Sequence, residues 1–387
     1  MPKEAEKRVL FVSHTANFHK FNRPLMQMLR GKLKGPYAKL NIGNCVVDYA
    51  SANEEKVFDA DHVYQIDFVR SPFRLKQNLR AYKQLRDLLN TEHYDLIHTH
   101  TPMGSVLTRL AARKQRKNGK TRVIYTAHGF HFYKGAPMLN WLVYYPVEKY
   151  LAKDADLLIT INHEDFLRAK TRFGVPVKMI DGVGVDMRAL KSIKLTKAEK
   201  AAKRKALSVD KKTKLIICSA EFTKNKNQRL ILTALAKVKQ KRNDFCMLFC
   251  GVGRELANCK TLAKTLGLEE NVRFLGYRKD NKEMTVMANL AINASKREGL
   301  CMAGLEQIAL ACPVLFSNNR GIREMLRNEK NKAVLFNPKN ATELAQKILS
   351  ALEKPNLYTI KFDERFSLKN SLSKIRKIYL SMLEDNA

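Results

Sequence analysis

Residues 290–317 read LAINASKREGLCMAGLEQIALACPVLFS and combine a strand, a loop, a helix and a second strand. Apolar residues fill Leu290–Asn293 and Val314–Ser317, and Ala303–Ala311 has the apolar spacing of a buried helix. Pro313 stands between that helix and the second strand, where a proline ends helical structure. Because a helix joins the two strands, the segment predicts a crossover between parallel strands.

The same alternation of short apolar runs and helical patterns extends along nearly the whole chain. The other predicted strands are Val9–Ser13, Leu96–His98, Val123–Thr126, Leu157–Ile161, Leu215–Ser219, Phe245–Cys250 and Val272–Leu275. The other predicted helices are Phe73–Leu89, Met103–Lys117, Gln228–Val238, Arg254–Leu266 and Thr342–Leu352. Alternation of this kind predicts an α/β protein whose parallel sheets are covered by helices on both faces.

The length of 387 residues suits two such domains. A polar, lysine-rich stretch without strand signal, Met187–Lys214, marks the expected boundary and includes one possible helix, Lys197–Leu207. The expected segments are an N-terminal Rossmann-like domain at 1–190, a basic linker at 191–212, a C-terminal Rossmann-like domain at 213–367, and a last helix at 368–387 that packs back on the N-terminal domain or stays with the C-terminal one.

Composition predicts a globular protein kept in the cytoplasm. Apolar residues make up 45% of the chain and charged residues 28%, which is typical of a folded rather than a disordered protein. No apolar run approaches the roughly 20 residues that span a bilayer, and the charged start Met1–Arg8 lacks the apolar core of a signal peptide. The seven cysteines contain no CxxC pair and are expected to be reduced core residues.

The formal net charge of +34 is the unusual global property. The basic excess is spread over both halves of the chain, with a dense patch at Lys191–Lys214. Such a surface favours polyanionic partners: nucleic acid, anionic lipid or phosphorylated substrates. A solvated lysine-rich surface without any such partner has the same composition.

Polar residues follow several predicted strands at their carboxyl ends, where open parallel sheets bind ligands. In the first half these residues include His14, Thr15, His100, His128 and His131. In the second half they include Lys224, Lys226, Gly253, Gly276 and Tyr277. Two sheets that each present such loops predict a ligand in a cleft between the domains.

Glu298 and Glu306 stand eight residues apart, the first in the loop and the second on the helix of residues 290–317. Both can face one ligand at the helix start, where free backbone N–H groups and the positive dipole end suit a diphosphate. Gly299 would let the backbone approach that ligand closely. A surface glutamate and a helix salt bridge explain the same two residues equally well.

Several long motifs, together with the two glutamates, resemble glycosyltransferase family 4. The motifs are His98–Gly104 (HTHTPMG), Tyr125–Gly135 (YTAHGFHFYKG), Asp156–Asn162, Gly182–Asp186 (GVGVD) and Lys224–Gln228 (KNKNQ). The similarity covers almost the whole chain and points to the bacterial exopolysaccharide and capsular polysaccharide branch. It implies the GT-B fold of two facing Rossmann-like domains with an interdomain cleft, and a retaining sugar transfer.

The resemblance also implies residue roles. Glu298 would hydrogen-bond sugar hydroxyls, Glu306 would bind the ribose, and His128 would lie near the reacting centre. Lys226 would neutralise the diphosphate together with the helix start. The other residues expected around the donor are Lys224, Gly253, Gly276, Tyr277, Gly299 and Leu300. Those expected on the acceptor side of the N-terminal domain are His14, Thr15, His100 and His131.

The chain departs from the family pattern at three positions. Glu221 stands where the family usually has an arginine, so phosphate binding would rest on Lys226 and Lys224. Cys301 replaces the usual proline at the helix start, which loses a preorganised first helical residue. Around Ala311 the usual glycine is missing, and a non-glycine in a left-handed turn there would cost about 1 kcal/mol.

The sequence contains residue types that could bind a metal, but we predict no metal site. His98 and His100 alternate on one strand face, and His128 and His131 lie on the next loop, yet no acid or cysteine completes a zinc site. Asp59–Asp61 and Asp154–Asp156 imitate the Asp-x-Asp of metal-dependent glycosyltransferases, and we reject both. We expect neither a metal nor a cofactor, with the nucleotide-sugar as a substrate.

The segment Ala136–Ala152, which contains Trp141, is the most apolar and aromatic stretch outside the strands. Packing in the core is the default interpretation. The alternative is a lip over the acceptor cleft that touches a membrane. Basic residues nominated for contact with an anionic membrane surface are Arg74, Arg80, Lys83, Lys114, Arg116, Lys117 and Lys120.

These observations predict a retaining hexosyltransferase that is cytoplasmic and peripheral at the inner membrane face. The expected donor is a nucleotide-diphosphate sugar, with UDP-sugar favoured, and the expected acceptor is a lipid-linked saccharide. Two alternatives stay open: a UDP-sugar epimerase of the same fold, and a non-catalytic basic protein that binds nucleic acid. The second lacks a recognisable reader motif, so no nucleic-acid partner is expected.

Overall fold

The computed structural model describes residues 6–43, 45–52, 57, 59–330 and 332–384. The chain forms two compact units, unit 1 from Met1–Gly184 with Leu368–Ala387 and unit 2 from Val185–Ser367. The outermost ends of the predicted first domain and last helix, 1–5 and 385–387, lie outside the described residues.

Unit 1 contains a seven-stranded sheet. Its strands are β1 (Lys7–Val12), β2 (Cys45–Ser51), β3 (Val63–Gln65), β4 (Leu96–His100), β5 (Arg122–Ala127), β6 (Leu157–Thr160) and β7 (Val177–Met179). They lie in the order β3-β2-β1-β4-β5-β6-β7, and all neighbouring pairs are parallel. The direction of the strand order reverses between β1 and β4, which is the topological switch point of a doubly wound sheet.

Helices connect the strands of unit 1. They are α1 (His19–Leu29), α2 (Leu75–Thr91), α3 (Pro102–Ala111), α4 (Arg113–Lys117), α5 (Met138–Ala152) and α6 (His163–Arg172). The single helix predicted at Met103–Lys117 is therefore two helices. One apolar cluster joins α2 and α3 to the sheet through Leu85, Leu107 and Ile97. Burial of this shared face is what fixes the helices on the strands.

Unit 2 repeats the same plan with six strands. They are β8 (Lys214–Ser219), β9 (Phe245–Cys250), β10 (Val272–Phe274), β11 (Leu290–Asn293), β12 (Val314–Ser317) and β13 (Leu335–Phe336). Their order is β10-β9-β8-β11-β12-β13, again with parallel pairs only. The switch point of this sheet lies between β8 and β11. The predicted crossover between Leu290–Asn293 and Val314–Ser317 is confirmed.

The helices of unit 2 begin before its first strand. They are α7 (Met187–Lys191), α8 (Lys197–Ala206), α9 (Gln228–Lys239), α10 (Leu256–Thr265), α11 (Asn281–Met287), α12 (Met302–Ala309), α13 (Arg320–Met325) and α14 (Ala341–Glu353). Together with unit 1 they give two Rossmann-like domains, as the sequence predicts.

The structure divides the chain before Val185, whereas the sequence predicts the boundary at 190, and it includes the predicted linker at 191–212 in unit 2. Thr196 and Glu199 form a capping box at the start of α8, which explains why the polar stretch is helical. Lys203 of α8 lies 3.0 Å from Asp280 and 2.7 Å from Glu283, and these ion pairs fasten the helix to the rest of unit 2.

The chain returns to unit 1 in its last helix, α15 (Leu368–Glu384). The hydroxyl of Tyr379 in α15 lies 2.6 Å from Nδ1 of His98 in β4, and both side chains are buried. Ser371 donates a hydrogen bond of 2.7 Å to the carbonyl oxygen of Gly182. A polar pair within a buried helix face therefore sets the position of α15 on the sheet of unit 1.

The helix α5 divides its side chains between the core and the surface. Trp141, Tyr144 and Tyr145 pack against the buried cluster around Phe132. The same helix exposes a set of large apolar side chains, Met138, Leu139 and Leu142. Core packing is the outcome for Trp141.

No helix in the described part of the chain is long and apolar enough to cross a membrane. All seven cysteines are buried and unpaired, in agreement with the predicted reduced core residues.

Candidate functional site

The switch point of unit 2 places two loops side by side. The first follows β8 and carries Lys226, and the second follows β11 and carries Glu298. The two strands are direct neighbours in the sheet, with Leu290 opposite Ile216. Loops at a switch point diverge to opposite faces of the sheet and leave a crevice, so these two loops are the natural ligand-binding position of unit 2.

Asn225 joins these two loops through both its backbone and its side chain. Its carbonyl oxygen accepts a bond of 2.7 Å from the N–H of Lys296. Its side-chain oxygen accepts from the N–H of Arg297 at 3.1 Å, and its side-chain nitrogen donates to the carbonyl of Arg297 at 2.9 Å. The side chain thus satisfies both backbone groups of one residue, which fixes the spacing between the neighbouring Lys226 and Glu298.

Lys226 and Glu298 form a direct ion pair, with Nζ and Oε1 2.6 Å apart. The two side chains are 29% and 13% exposed, so the pair is only partly in contact with solvent. Burial is the largest single influence and lowers the pKa of the Lys226 ammonium, but the Glu298 carboxylate, with smaller contributions from Cys301 and Cys218, raises that pKa above its usual value. The cation is therefore present at neutral pH and faces an acidic partner from the adjacent loop.

Glu306 lies on α12, and Oε1 of Glu306 is 3.0 Å from Nζ of Lys282 on α11. On the same helix, Gln307 accepts a bond of 2.6 Å from the side-chain amide of Asn293, which anchors α12 to the end of β11. Both glutamates of the motif are thus paired with lysines from other elements. Each pair offers an exchangeable cation and an acceptor for hydroxyl groups.

The Glu298 loop rests closely on α13. A Cβ atom added at Gly321 would lie 2.6 Å from the carbonyl oxygen of Glu298, a distance that real Cβ atoms do not reach. Next to this contact, Gly299 is half-buried and Leu300 is buried before the first turn of α12. A close backbone approach at Gly321 and the Asn225 hydrogen bonds therefore hold the loop from two sides.

The other residues predicted around the donor lie on loops that hydrogen bonds connect to the Lys226 loop. The N–H of Gly251 bonds to the carbonyl of Gly276 at 2.7 Å. A Cβ at Gly253 would lie 2.4 Å from the carbonyl oxygen of Phe222, so this glycine is required by the neighbouring loop. Tyr277 is 74% exposed at the end of this connected set. Lys224 is exposed on the surface.

The three departures from the family pattern have distinct structural outcomes. Glu221 is exposed and its carbonyl oxygen accepts a bond from Gln228, while its carboxylate forms no ion pair with the described residues. Burial and then the Glu298 charge raise the pKa of the Cys301 thiol to about 12, so the thiol at the start of α12 is neutral. Ala311 has φ +55°, which confirms the predicted left-handed turn without a glycine.

Unit 1 presents the loops after β1 and β4 at its own switch point. The N–H of His14 donates to Oγ1 of Thr101 at 3.1 Å, and Thr101 itself has φ +67°. A Cβ at Gly104 would lie 2.9 Å from Oγ1 of Thr101 and 3.1 Å from the His14 nitrogen. Burial, with the nearby Arg70 charge, lowers the pKa of His14. The carbonyl of Thr15 closes the same turn by accepting a bond from Ser13 at 2.9 Å.

Three histidines meet at this edge of unit 1. The rings of His98 and His100 lie 4.1 Å apart between centroids, and Nδ1 of His100 is 3.1 Å from Nε2 of His128. Phe18 covers His128 edge-on at 4.6 Å. Burial lowers the pKa of His128 to about 4 and that of His98 to about 3, and it lowers the pKa of His100 well below its usual value. All three rings are therefore neutral at pH 7.

His131 separates from this group. Its ring stacks on Tyr144 of α5 with centroids 4.7 Å apart, and its carbonyl accepts a bond from Asn140 at 3.0 Å. Among the described residues no group of three or more histidine, cysteine, aspartate or glutamate side chains converges to hold a metal ion. The Asp-x-Asp carboxylates pair with arginines; Asp59 contacts Arg23, for example, and Asp154 contacts Arg113.

Sequence reasoning missed three positioning residues. Asn225 lies inside a motif that was recognised, but its hydrogen bonds to Arg297 carry no sequence signal. Lys282 approaches Glu306 from another helix, and Tyr379 reaches His98 from a segment 281 residues away in sequence. Contacts over such separations become visible only when the strand order is known.

Two regions of the chain match protein families. Residues 199–367 match the family described as glycosyl transferases group 1, and residues 8–162 match the family described as glycosyl transferase 4-like. The chain is also similar to the putative glycosyltransferase EpsD of Bacillus subtilis (strain 168). The two are 37% identical over 346 residues, which cover 87% of this chain and 90% of EpsD.

A more distant relative is the UDP-Gal:alpha-D-GlcNAc-diphosphoundecaprenol alpha-1,3-galactosyltransferase of Escherichia coli. It is 27% identical over 261 residues, 66% of each protein. Among solved structures, Anabaena Alr3699/HepE in complex with UDP and glucose has the same fold, with a TM-score of 0.70, 18% identity and coverage of 98% of both chains. The extent of the EpsD match and the two family matches show that this chain belongs to the glycosyltransferases, the family that its motifs predict.

Proposed function

We propose that this glycosyltransferase moves a hexose-type sugar, with retention of configuration, from a UDP-sugar to a lipid-linked saccharide in exopolysaccharide or capsule biosynthesis. The observation that carries the proposal is the Lys226–Glu298 pair at the switch point of unit 2. A donor of this class combines a diphosphate with sugar hydroxyls, and the pair combines a cation with a hydroxyl acceptor. The Escherichia coli relative is named for a UDP-sugar donor and a diphosphoundecaprenol-linked acceptor.

Donor binding would exchange the partner of Lys226. The diphosphate carries more negative charge than one carboxylate, so it competes with Glu298 for the ammonium. Glu298, once released, can accept hydrogen bonds from sugar hydroxyls. At the start of α12, the helix dipole adds favourable potential for the leaving diphosphate. Glu306 would bind the ribose in the same way, beside Lys282.

Acceptor binding would use the uncharged edge of unit 1. His128 and His100 are neutral at pH 7, so they act as hydrogen-bond partners for hydroxyl groups rather than as cations. No side chain of the motif set is a clear covalent nucleophile. A same-face displacement, in which the leaving diphosphate takes the acceptor proton, therefore needs the fewest groups and retains the configuration.

The test is a product assay with UDP-sugars in the presence and absence of a short lipid-linked saccharide. We expect a new glycosidic bond of retained configuration, detected by NMR, only when the acceptor is present. Conversion of the UDP-sugar without acceptor would instead identify an epimerase. A trapped glycosyl-enzyme adduct in mass spectrometry would contradict the same-face displacement.

The proposed reaction does not depend on a metal, because Lys226 and the start of α12 supply the positive charge. Activity in EDTA should therefore equal activity in untreated buffer. Loss of activity in EDTA that manganese restores would overturn this part of the proposal.

The proposal includes reversible association with the anionic inner face of the membrane. Of the nominated cations, Arg80 pairs with Asp67 at 2.7 Å and Arg116 with Asp156 at 3.0 Å, so their charges are partly neutralised. Basic residues near an anionic bilayer contribute about 1 kcal/mol each. Binding to phosphatidylglycerol vesicles at low salt should fall as salt rises, because exposed charges are screened within about 8–10 Å.

A further inference from the structure

Two helix starts in unit 1 expose large apolar side chains to solvent. At the start of α2 these are Phe73, Leu75 and Leu79, and at the start of α5 they are Met138, Leu139 and Leu142; we name the six together the apolar edge. Each is between 54% and 76% exposed. They make up half of the large apolar side chains that are exposed in the described residues. Clusters of exposed apolar side chains of this kind mark an interaction site.

Both clusters lie on the same side of unit 1. The helix α2 leads from β3 to β4, and α5 leads from β5 to β6, so the two right-handed crossovers run in the same direction along the sheet and place both helices on one face. The helix α3 lies between them and contacts both. Neighbouring packed helices are about 8–10 Å apart, which puts the two clusters at about 20 Å from each other.

The apolar edge lies at the carboxyl end of the strands. In a parallel strand–helix–strand unit the helix runs back against the strands, so it begins where the preceding strand ends. The starts of α2 and α5 therefore lie at the same edge as His100 and His128. An occupant of the apolar edge would be next to the proposed acceptor position.

The sequence segments around both clusters are cationic. Two carboxylates approach them from neighbouring residues: Asp67 pairs with Arg80, and Glu164 accepts a bond from the N–H of Lys134. No aspartate or glutamate occurs from Phe68 to Arg86 or from Lys120 to Val147. Arg74 and Lys76 are exposed beside Leu75, and Lys134 is exposed shortly before Met138. A groove with a volume of about 670 Å³ continues from Leu79 between α2 and α3–α4. It is lined by apolar and cationic side chains, which include Leu107, Leu110, Arg86 and Lys114.

We propose that the apolar edge inserts into the interface of an anionic lipid bilayer, with the surrounding cations on the headgroups. An apolar face rimmed by lysine and arginine is the pattern of interfacial membrane binding. A second copy of this chain fits less well, because two surfaces of the same positive sign repel in a chain of net charge +34. The inference rests on the membrane association proposed above and adds a contact that salt does not screen.

Trp141 is not the inserting residue. Its ring packs on Phe132 at 5.7 Å and on Tyr145 at 5.8 Å, and the Arg168 guanidinium lies 5.0 Å above it. Trp141, which the alternative interpretation of this segment placed at a membrane, is thus held within unit 1. Its aliphatic neighbours, Leu139 and Leu142, take its place at the surface.

The test is co-sedimentation with vesicles of equal parts phosphatidylglycerol and phosphatidylcholine, first at low salt and then in 0.5 M NaCl, about 3.3 times physiological ionic strength. The full chain should keep a salt-resistant fraction of binding. Leu139→Ser with Leu142→Ser, and separately Phe73→Ser with Leu75→Ser, should each lower that fraction about tenfold. The matched control is Leu167→Ser with Leu357→Ser, two exposed leucines outside the apolar edge, which should leave it unchanged.

Affinity for free UDP is measured in the same variants, because it depends on unit 2 and separates failure of insertion from failure of the proposed function. We expect unchanged UDP affinity throughout. Absence of salt-resistant binding in the parent chain, or equal loss in the control, would overturn the proposal. A dimer in gel filtration that the apolar-edge variants abolish would also overturn it, because a second copy would then be the occupant.

Discussion

The carboxyl edges of the two sheets differ in charge although the sheets share one strand order. Unit 2 brings Lys226 and Glu298 together as a charged pair across its switch point. Unit 1 brings His100 and His128 together as neutral, largely buried rings. The same architecture therefore presents two kinds of groups. A charged pair lies where a diphosphate is proposed to bind, and uncharged hydrogen-bonding groups lie where hydroxyls are proposed to bind.

The largest effect is expected from removal of the unit 2 cation. Lys226→Met should weaken UDP binding about 10- to 150-fold, because hydrogen bonds to charged groups contribute about 1.5–3 kcal/mol. Titration calorimetry with free UDP measures the effect. Lys237→Met, at an exposed lysine of the same unit, is the control and should bind UDP like the parent. Equal affinity in the Lys226 variant would remove the basis for a diphosphate site.

The second prediction concerns the neutral histidines of unit 1. Burial lowers the pKa of His98 to about 3, so the unfolded chain binds the proton more readily below pH 6.5. The stability that comes from neutral His98 is complete above pH 6.5 and is lost as the pH falls toward 3. At pH 5 the loss is about 2 kcal/mol.

Denaturant unfolding of the parent and of His98→Asn at pH 7.5 and pH 5 measures this loss. The variant should be less stable at pH 7.5 because the contact with Tyr379 is weakened, but its stability should fall less between the two pH values. An identical fall in both proteins would show that His98 is not held in its neutral form.

Glu306→Gln sharpens the comparison within unit 2. If Glu306 binds the ribose, loss of its charge should weaken the binding of free UDP about tenfold. This magnitude corresponds to about 1.5 kcal/mol, the lower end of the range for a hydrogen bond to a charged group. UDP affinity and the activity with UDP-sugar should fall together. Unchanged UDP affinity would exclude the ribose contact.

The smallest effect is on stability alone. Ala311 adopts φ +55°, which costs a residue with a Cβ about 1 kcal/mol. Ala311→Gly should raise the free energy of unfolding of unit 2 by up to about 1 kcal/mol without a change in UDP affinity. A loss of stability would mean that the flexibility of glycine in the unfolded chain outweighs the relieved strain.

The regular part of each sheet was predictable from sequence because buried parallel strands are continuous apolar runs. The runs Phe245–Cys250, Leu290–Asn293 and Val314–Ser317 correspond to strands residue for residue. The strand Cys45–Ser51 was missed because Asp48 interrupts its apolar run. That carboxylate is fully buried and accepts bonds from Tyr94 at 2.9 Å and Arg8 at 2.9 Å, partners that the local sequence does not contain.

The residues of the site were predictable as positions but not as pairs. Separate motifs point to Lys226 and Glu298, but neither motif predicts that the two side chains contact each other. The bonds of Asn225 to Arg297 and the contact of Lys282 with Glu306 depend on strand order and on loop conformation. The boundary at Val185 was missed because the polar helix α8 has the composition of a linker.

The central claim is that the diphosphate displaces Glu298 from Lys226, and Glu298→Gln tests it most directly. The variant keeps the size of the side chain and removes the charge that competes for the ammonium. The affinity for free UDP, measured by titration calorimetry, should equal or exceed that of the parent chain, while transfer from UDP-sugar should fall about tenfold or more through loss of a charged hydrogen bond to the sugar. If Glu298→Gln lowers the affinity for free UDP as strongly as Lys226→Met does, the two side chains act as one fixed unit and the proposed exchange does not occur.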